Sequence, residues 1–414
     1  METLKAVPGT YDIFPEDART WDRVRRIVAH AMRAYAYGRV ETPHMESREL
    51  FARGVGADTD IVQKEMYVFE DRGGRRLALR PEGTAGVVRA YIEARLDKQR
   101  PYSKLWYWGP MFRAERPQKG RYRQFWQFGV EAIGIAGPTI DAEQIALAMF
   151  IAGKLQLENL VLRLSSIGDG NCRPAYRERL ASYLQGVQAK LCDPCRRRVR
   201  SNPMRVLDCK EAGCRAATAD APLVIDYLCD PCREHLDGVR SALDRFGVDY
   251  VLDGRIVRGL DYYRRTAFEL ESGRLGAQNS LVGGGRYDGL VAALGGPDVP
   301  GVGWAAGVER FLLAAGSVAG DPALDAFIAG FPETRGAAAE LAQRWRHSGL
   351  RVEIDYLDRS LKAQLKEAAR QGARFAVVVG PDEWSQGQVT LRDLNTGTQE
   401  AVTPDEAHAR VSQT

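Results

Sequence analysis

Two aromatic segments separated by a basic loop constrain the fold of this chain more than any other feature. Residues 104–112 and 124–133 are rich in aromatic and apolar side chains, a composition that is typical of β-strands. The loop between them carries Arg116, Lys119, Arg121 and Arg123. The pattern predicts an antiparallel hairpin with a basic tip.

Side-chain alternation gives the second segment two different faces. Gln127, Gly129 and Glu131 share one face, and three apolar residues share the other. The polar face presents an amide, a gap and a carboxylate, and such groups need partners when a strand is buried. With Arg113 at the end of the first segment, this face suits a polyanion beside a smaller polar ligand. The alternative is a surface hairpin whose charges are only solvated.

The distribution of charge indicates phosphate-bearing ligands. The net charge of the 414 residues is only +4, but residues 80–130 carry eleven Lys or Arg against four Asp or Glu, and residues 190–215 carry eight against three. The length allows two or three domains. Because no apolar run has the length of a signal peptide or a membrane span, we expect a cytoplasmic protein with no membrane partner and with reduced cysteines.

Several other segments have the periodicity of regular structure. Helical spacing extends over residues 16–37 and 141–157, and the short strand 77–79 turns at RPEGTAG into a helix with Thr84 as its N-cap. The free N–H groups of such a helix start can hold a carboxylate. After residue 320, four short strands and two helices predict a compact α/β domain with a largely parallel sheet.

A repeated hexapeptide indicates a metal site. Leu-Cys-Asp-Pro-Cys-Arg occurs at 191–196 and again at 228–233, and each copy has the CxxC spacing of a zinc ligand pair. We therefore predict one structural Zn²⁺, far from the chemistry, bound by Cys192, Cys195, Cys229 and Cys232. Cys209 and Cys214 lie between the copies and compete as ligands. The alternative is that all six thiols are reduced and merely packed.

Five motifs together resemble one enzyme family. FRAERPQKGRYRQFWQFGVE, at 112–131, resembles motif 2 of class II aminoacyl-tRNA synthetases in the form seen in histidyl-tRNA synthetases. RGLDYYRRTAFE, at 258–269, matches the signature segment by which that family differs from other class II enzymes. GGGRYDGL resembles its second histidine-specific motif, GVGWAAGVERFLLAA resembles motif 3, and the helix 16–37 with the strand at Pro43 resembles motif 1.

The resemblance covers nearly the whole chain and implies its architecture. The expected fold is an α+β class II synthetase catalytic domain, an antiparallel sheet flanked by helices, at 1–169 and 251–318. A helical insertion is expected at 170–250, and a C-terminal α/β anticodon-binding domain at 322–414. Motif 1 builds the dimer interface in class II synthetases, so the resemblance also implies a homodimer.

The implied activity is that of a histidine–tRNA ligase. Such an enzyme forms histidyl-adenylate from histidine and ATP, with Mg²⁺ on the phosphates, and transfers histidine to the 3′ end of tRNA(His). The resemblance implies three catalytic residues, Arg113, Arg258 and Arg310. It implies the histidine-binding residues Glu82, Gly83, Thr84, Arg113, Gln127, Glu131, Arg258, Tyr262, Tyr263 and Tyr287. It implies the ATP-binding residues Arg113, Arg121 and Arg310.

Two alternative functions belong to related folds. A synthetase-like regulatory subunit of ATP phosphoribosyltransferase acts in histidine biosynthesis, but it usually lacks the C-terminal domain and parts of the signature. A synthetase for proline or threonine is countered by RGLDYY and GGGRYDGL. The glycine-rich segment at 281–291 is not followed by Lys-Ser/Thr, so it is no P-loop, and we expect ATP to bind on a sheet.

Overall fold

The computed structural model describes residues 3–57, 59–118, 120–257, 259–276, 279–316 and 323–413. Contacts divide the chain into two compact units. One consists of Met1–Phe14 and Val24–Val318, and the other of Pro15–Arg23 and Ala319–Thr414. Within the described residues, every helix is too short or too polar to cross a membrane.

Eleven α-helices and eleven strands precede residue 317 among the residues that the structure describes. The helices are α1 (Pro15–Ala34), α2 (Arg48–Val55), α3 (Thr84–Glu93), α4 (Leu96–Gln99), α5 (Pro138–Lys154), α6 (Arg173–Gly186), α7 (Asp193–Ser201), α8 (Ala212–Ala217), α9 (Asp230–Phe246), α10 (Leu290–Ala293) and α11 (Val308–Ala315). The strands are β1 (Gly38–Arg39), β2 (Met45–Ser47), β3 (Val68–Glu70), β4 (Arg76–Leu79), β5 (Ser103–Phe112), β6 (Gln124–Ile133), β7 (Leu160–Ser166), β8 (Val251–Leu252), β9 (Arg264–Ser272), β10 (Ser280–Arg286) and β11 (Gly301–Gly307).

An eight-stranded sheet forms the framework of this part of the chain. Its order is β1-β5-β6-β11-β10-β9-β7-β8, and all neighbours are antiparallel except the pairs β1–β5 and β7–β8. The predicted hairpin is confirmed, with β5 and β6 paired from Ser103 opposite Ile133 to Phe112 opposite Gln124. Pro43 separates β1 from β2, which belongs to a small sheet ordered β2-β4-β3.

The apolar face of β6 packs into the main core. The Phe128 ring stacks on Trp108 of β5 at 5.6 Å between centroids, and meets Trp304 of β11 and Phe311 of α11 edge-on at 5.7 and 5.2 Å. Each such aromatic pair contributes about 0.5–1.5 kcal/mol beyond its buried area. The opposite face of β6 is therefore left free to form a polar site.

A buried ionic network joins two helices to the sheet. Asp141 of α5 accepts hydrogen bonds from Arg286 of β10, whose Nε lies 3.2 Å away, and both side chains are fully buried. His235 of α9 lies 3.2 Å from the same carboxylate. Burial alone would raise the pKa of Asp141, but hydrogen bonds with His235 and the charge of Arg286 lower it. The carboxylate thus stays charged and holds α5 and α9 in place.

The second unit contains a smaller, mixed sheet. Its strands are β12 (Leu324–Gly330), β13 (Val352–Ile354), β14 (Ala373–Val379), β15 (Val389–Asp393) and β16 (Gln399–Val402), in the order β13-β12-β14-β15-β16. Its helices are α12 (Arg335–His347), α13 (Leu361–Arg370), α14 (Pro381–Ser385) and α15 (Pro404–Ser412). The α/β class is confirmed, and α12 and α13 correspond to the two predicted helices.

The prediction of a largely parallel sheet is wrong. Strand β12 is parallel to β13 and β14, but β14–β15 and β15–β16 are antiparallel. The physical reason is that both connections are short: residues 380–388 join β14 to β15, and a tight turn joins β15 to β16, in which the Asp393 N–H donates to Thr398 O at 2.9 Å and Gly397 adopts a φ of +76°. Such short connections can join only antiparallel strands.

We predict that Asp141→Ala destabilises the protein strongly. Removing the carboxylate leaves the guanidinium of Arg286 buried without its main counter-charge, which typically costs about 3–5 kcal/mol. Chemical denaturation followed by tryptophan fluorescence measures the loss, with Asp244→Ala on the exposed face of α9 as the control. A loss no larger than that of the control would show that the network contributes little to stability.

Candidate active site

A cavity of about 350 Å³ opens on the polar face of β6. Most of the residues predicted to bind substrates line it. These are Glu82, Thr84, Arg113, Arg121, Gln127, Tyr262, Tyr263 and Arg310. The cavity lies among residues on or next to β5, β6, β9 and β11 and at the starts of α3 and α11. Distant parts of the sequence therefore meet there. Arg258 lies outside the described residues.

The start of α3 differs from the prediction in one respect. The N-cap is Gly83 and not Thr84. The Glu82 carboxylate accepts the N–H groups of Thr84 and Ala85 at 2.7 and 2.9 Å, so these groups are not available to a substrate carboxylate. Glu82 instead presents its own buried negative charge at the cavity, and burial raises its pKa.

Glu131 and Tyr287 lie one layer behind the cavity. Glu131 is fully buried, and its two carboxylate oxygens accept hydrogen bonds from the hydroxyls of Thr84 and Tyr287, both at 2.7 Å. Burial raises the pKa of Glu131 to about 8, although both hydrogen bonds oppose the shift. Glu131 therefore does not line the cavity itself, and its hydrogen bond with Thr84 links it to the cavity wall.

The expected gap at Gly129 is filled from within the protein. A Cβ at Gly129 would lie 2.4 Å from the Tyr107 hydroxyl, and a Cβ at Gly83 would lie 2.4 Å from the Tyr107 ring. Both glycines thus accommodate Tyr107, and neither is part of the cavity lining described here. The side chain of Tyr107, directly opposite Gly129 in the register, therefore fills this gap.

Two buried polar atoms beside the cavity have no hydrogen-bond partner among the described residues. They are the amide oxygen of Gln127 and the hydroxyl oxygen of Tyr107. An unsatisfied buried polar group costs about 1–3 kcal/mol. Gln127 lines the cavity, so its oxygen is placed to accept a hydrogen bond from a ligand.

Three arginines converge in the cavity, and we call their part of it the basic end and the part beside Glu82 the acidic end. Arg113 donates from Nε to Pro81 O at 2.9 Å, and its guanidinium lies 5.1 Å from the centre of the Phe125 ring. Arg310 donates to Ser280 O at 2.8 Å. Burial lowers the pKa of Arg310, and the nearby charges of Arg121 and Arg113 lower it further. Glu115 pairs with Arg121 at 2.9 Å and lies 3.7 Å from Arg113, so it offsets part of this repulsion, and the remaining positive charge favours a polyanionic ligand.

Aromatic hydroxyls form the wall between these two ends. The rings of Tyr262 and Tyr263 lie 4.7 Å apart, and Tyr262 meets Tyr287 edge-on at 5.9 Å. Burial raises the pKa of Tyr262 well above its ordinary value, so its hydroxyl stays protonated and can donate. The wall is polar without being charged.

Several further cavity residues were not predicted to bind substrates. Four of those that carry a charge or an aromatic ring are Glu115, Phe125, Arg205 and Glu269. Phe125 precedes Gln127 by two residues, so strand alternation extended by one step would have identified it. Arg205 comes from the inserted helical segment, and only tertiary structure brings it to the cavity. Of the consecutive glycines in β10, only Gly283 lines the cavity, because Gly284 and Gly285 pack against Trp304 and Thr266.

The predicted metal ligands do not form one site. Cys192 and Cys195 group with Cys209 and Cys214, whereas Cys229 and Cys232 group with Asp169 and Cys172. Within each group the potential ligand atoms lie within 4.8 Å of one another. The two hexapeptides separate because each begins a different helix, with Cys192 before α7 and Cys229 before α9. We call these groups the first and the second cysteine cluster.

Comparisons with known proteins agree with this geometry. A family model described as histidyl-tRNA synthetase matches residues 9–311, and one for an anticodon binding domain matches residues 326–414. A histidine–tRNA ligase of Desulforudis audaxviator is 50% identical over 407 residues, 97% of each chain. The crystal structure of apo Staphylococcus aureus histidyl-tRNA synthetase has a TM-score of 0.81 and 37% identity, covering 99% of this chain and 100% of that chain.

One structural relative concerns the regulatory alternative. An ATP phosphoribosyltransferase regulatory subunit/histidyl-tRNA synthetase of Bacillus halodurans has a TM-score of 0.68 and 22% identity, covering 92% of this chain and 99% of that chain. At this identity the likeness concerns the fold alone.

We predict that Glu131 makes thermal stability depend on pH. Its pKa of about 8 in the folded chain lies above the ordinary value of 4.5, so the folded chain binds the proton more tightly. The stabilisation is fully present below pH 4.5 and is lost as the pH rises through 8. Relative to Glu131→Gln, the wild-type melting temperature should therefore fall across this window. Glu178→Gln, at an exposed site, is the control, and a wild-type-to-variant difference independent of pH would contradict the prediction.

Proposed function

The chain belongs to the histidyl-tRNA synthetase family and joins histidine to tRNA by way of histidyl-adenylate, and we propose that both substrates of the first step meet in the cavity on β6. The carboxylate of histidine attacks the α-phosphorus of ATP and pyrophosphate leaves. The terminal ribose hydroxyl of tRNA(His) then attacks the histidyl carbonyl and AMP leaves. The observation that carries the proposal is that one cavity brings together a buried carboxylate, that of Glu82, and three converging arginines.

Histidine occupies the acidic end in this proposal. Glu82 and Thr84, which flank Gly83, receive the α-ammonium, because the Glu82 carboxylate is held at the cavity by the N–H groups of α3. The orphaned oxygen of Gln127 accepts from an N–H of the ligand. Gln127, Tyr262 and Tyr263 surround the imidazole, and Glu131 and Tyr287 support this pocket from one layer behind. A pocket built on hydrogen bonds rejects apolar amino acids strongly, because its buried polar groups would be left unpaired.

ATP occupies the basic end. Arg113 and Arg310 are fixed by backbone carbonyls, so their remaining N–H groups can hold phosphate without reorganisation. Arg121 adds a third cation, and Arg258 is assigned to the reacting α-phosphate by the family motif. Mg²⁺ enters with ATP, and the carboxylates of Glu115 and Glu269 in the cavity suit an ion that is held by one or two carboxylates and by phosphates.

Pyrophosphate exchange tests the assignment of the cavity and its specificity. ATP–pyrophosphate exchange should occur with histidine alone among the twenty amino acids, and Gln127→Ala should raise the KM for histidine more than that for ATP. Exchange with another amino acid would overturn the specificity. Absence of exchange would favour the regulatory alternative, which the match to an anticodon-binding domain at 326–414 argues against.

The proposed domain organisation assigns one function to each part of the chain. We assign 1–169 and 251–318 to catalysis, 170–250 to a helical insertion and 322–414 to anticodon recognition. The described insertion contains helices α6 to α9 and no strand. We place the reaction in the cytoplasm, where tRNA is charged for protein synthesis and where the seven free thiols would stay reduced.

The first cysteine cluster fits a structural Zn²⁺. The Sγ atoms of Cys192 and Cys209 lie 3.9 Å apart, and Cys195 and Cys214 complete a set of four sulfurs. Sulfurs at about 2.3 Å from a tetrahedral zinc lie about 3.8 Å from one another. We therefore propose this set as the ligands, in place of the quartet that the hexapeptides suggested.

We predict that Arg258→Ala slows adenylate formation by about 10²–10³-fold, since one electrostatic donor at a reacting oxyanion contributes about 3–4 kcal/mol. Arg258→Lys should recover only part of the rate, because an ammonium cannot form the bidentate fork. Single-turnover formation of histidyl-adenylate measures the effect, with Arg72→Ala at an exposed site as the control. A near-normal rate in the alanine variant would refute the assignment.

We also predict a homodimer, formed through the small sheet. The apolar residues of α1, such as Val24 and Met32, are buried within the chain, but Met45, Val68 and Phe69 are 55%, 40% and 40% exposed. Sedimentation should show a dimer at micromolar concentration that Phe69→Asp weakens. Val251→Asp, at an equally exposed edge strand, should leave it intact. An active wild-type monomer at that concentration would contradict the prediction.

A further inference from the structure

The second cysteine cluster has the geometry of a metal site of its own. The Sγ atoms of Cys172 and Cys232 lie 3.8 Å apart, and the Asp169 Oδ1 atom lies 3.6 Å from Cys172 Sγ and 3.8 Å from Cys229 Sγ. For a tetrahedral zinc with bonds of about 2.3 Å to sulfur and about 2.0 Å to oxygen, the expected separations are about 3.8 Å between sulfurs and about 3.5 Å between sulfur and oxygen.

We propose that Asp169, Cys172, Cys229 and Cys232 bind a second divalent metal ion of the zinc type, separately from the first cluster. The ligand set is three thiolates and one carboxylate, which suits Zn²⁺ and its substitute Co²⁺. This site positions a wall of the histidine pocket, and that part of the proposal rests on the proposed function of the cavity.

The chain is shaped to bring the four ligands together. Gly168 has a φ of +67°, and a Cβ on it would lie 2.6 Å from the Cys172 sulfur, so only glycine allows this approach. Cys172 precedes helix α6, Cys229 precedes α9 and Cys232 lies in the first turn of α9. The N-termini of these two long helices favour the negative charge of thiolates.

A nearby guanidinium and a backbone N–H group offset part of the excess charge of the ligand set. Three thiolates and a carboxylate leave a net charge of −2 on a divalent ion. The Arg265 guanidinium lies 3.6 Å from the second oxygen of Asp169, and Asn171 N–H donates to the first at 2.9 Å. Such second-layer contacts orient a ligating carboxylate.

Three hydrogen bonds connect the segments that carry the cluster to the start of β9, and one of them reaches Tyr263. Arg265 donates its N–H to Gly168 O and accepts that of Ile167, both at 2.8 Å, which extends the pairing of β7 with β9. Arg173, the first residue of α6, donates to Tyr263 O at 3.0 Å. Arg265 has a φ of +52°, which is unfavourable for a side-chain-bearing residue and persists only when its surroundings hold it.

The role of the metal follows from these contacts. It would fix the turn 167–172 against the strained start of β9, and this start carries Tyr263 into the cavity. The prediction of a zinc remote from the chemistry therefore does not apply to the second cluster. Loss of its metal should weaken histidine binding at the acidic end of the cavity.

Metal analysis of matched variants tests the ligand set. Full-length protein purified without chelator should contain two equivalents of zinc. Cys232→Ala and Cys214→Ala should each contain one, and the double variant none. In Cys214→Ala reloaded with Co²⁺, visible d–d and thiolate charge-transfer bands should report tetrahedral coordination that Asp169→Asn alters. A single equivalent in the wild type that Cys214→Ala abolishes, or a Cys172–Cys232 disulfide, would overturn the proposal.

A kinetic comparison tests the positioning role. Asp169→Asn, which keeps the shape of the side chain, should raise the KM for histidine about tenfold or more in pyrophosphate exchange, because small displacements at a binding site are costly. The KM for ATP should change less than about twofold, and Cys214→Ala should leave the KM for histidine unchanged. Loss of metal with an unchanged KM for histidine would refute the role. Failure of the wild type to exchange with histidine would refute the proposed function, while the metal count would still test the site.

Discussion

The pairing of β5 with β6 is the constraint on which the rest of the structure depends. Ten residues of each strand are in register, and this register sends Phe128 into the aromatic core and Gln127 into the cavity. A slip of one residue would exchange the two faces and place the amide and carboxylate among aromatic rings. The same register sets Tyr107 opposite Gly129, and thereby decides how much room remains for a ligand.

Local patterns predicted the elements, but long-range contacts decided the site. Period-two alternation and the flanking basic loop sufficed for the hairpin, because both signals lie within thirty residues. The hydrogen bond between Thr84 and Glu131 joins side chains that sit on α3 and β6, and no local pattern reveals it. The predicted grouping of the four cysteine ligands was wrong for a similar reason, because it depends on where α7 and α9 begin in space. Strand β16 was missed because three of its four residues are exposed.

Burial shifts pKa values in opposite directions at the two ends of the cavity. It raises the pKa values of Glu82 and Glu131 and lowers that of Arg310, so every one of these groups is less stable as an ion than it would be in water. In the proposed function, a zwitterionic amino acid and a polyphosphate supply counter-charges to these groups, each at the matching end. The free energy that burial costs these ions would then be regained when the two substrates bind.

The position of the insertion has a consequence for synthesis of the chain. Strand β7 pairs with β8 and β9, with Ser166 opposite Thr266, so both partners leave the ribosome only after the whole insertion. At roughly 5–20 residues per second, a hundred residues take about 5–20 s. During that interval β7 has an unpaired edge, and such edges invite association between nascent chains. Early folding of α6 to α9 would shorten the distance that β9 must close, which makes the insertion a folding aid as well as a cavity wall.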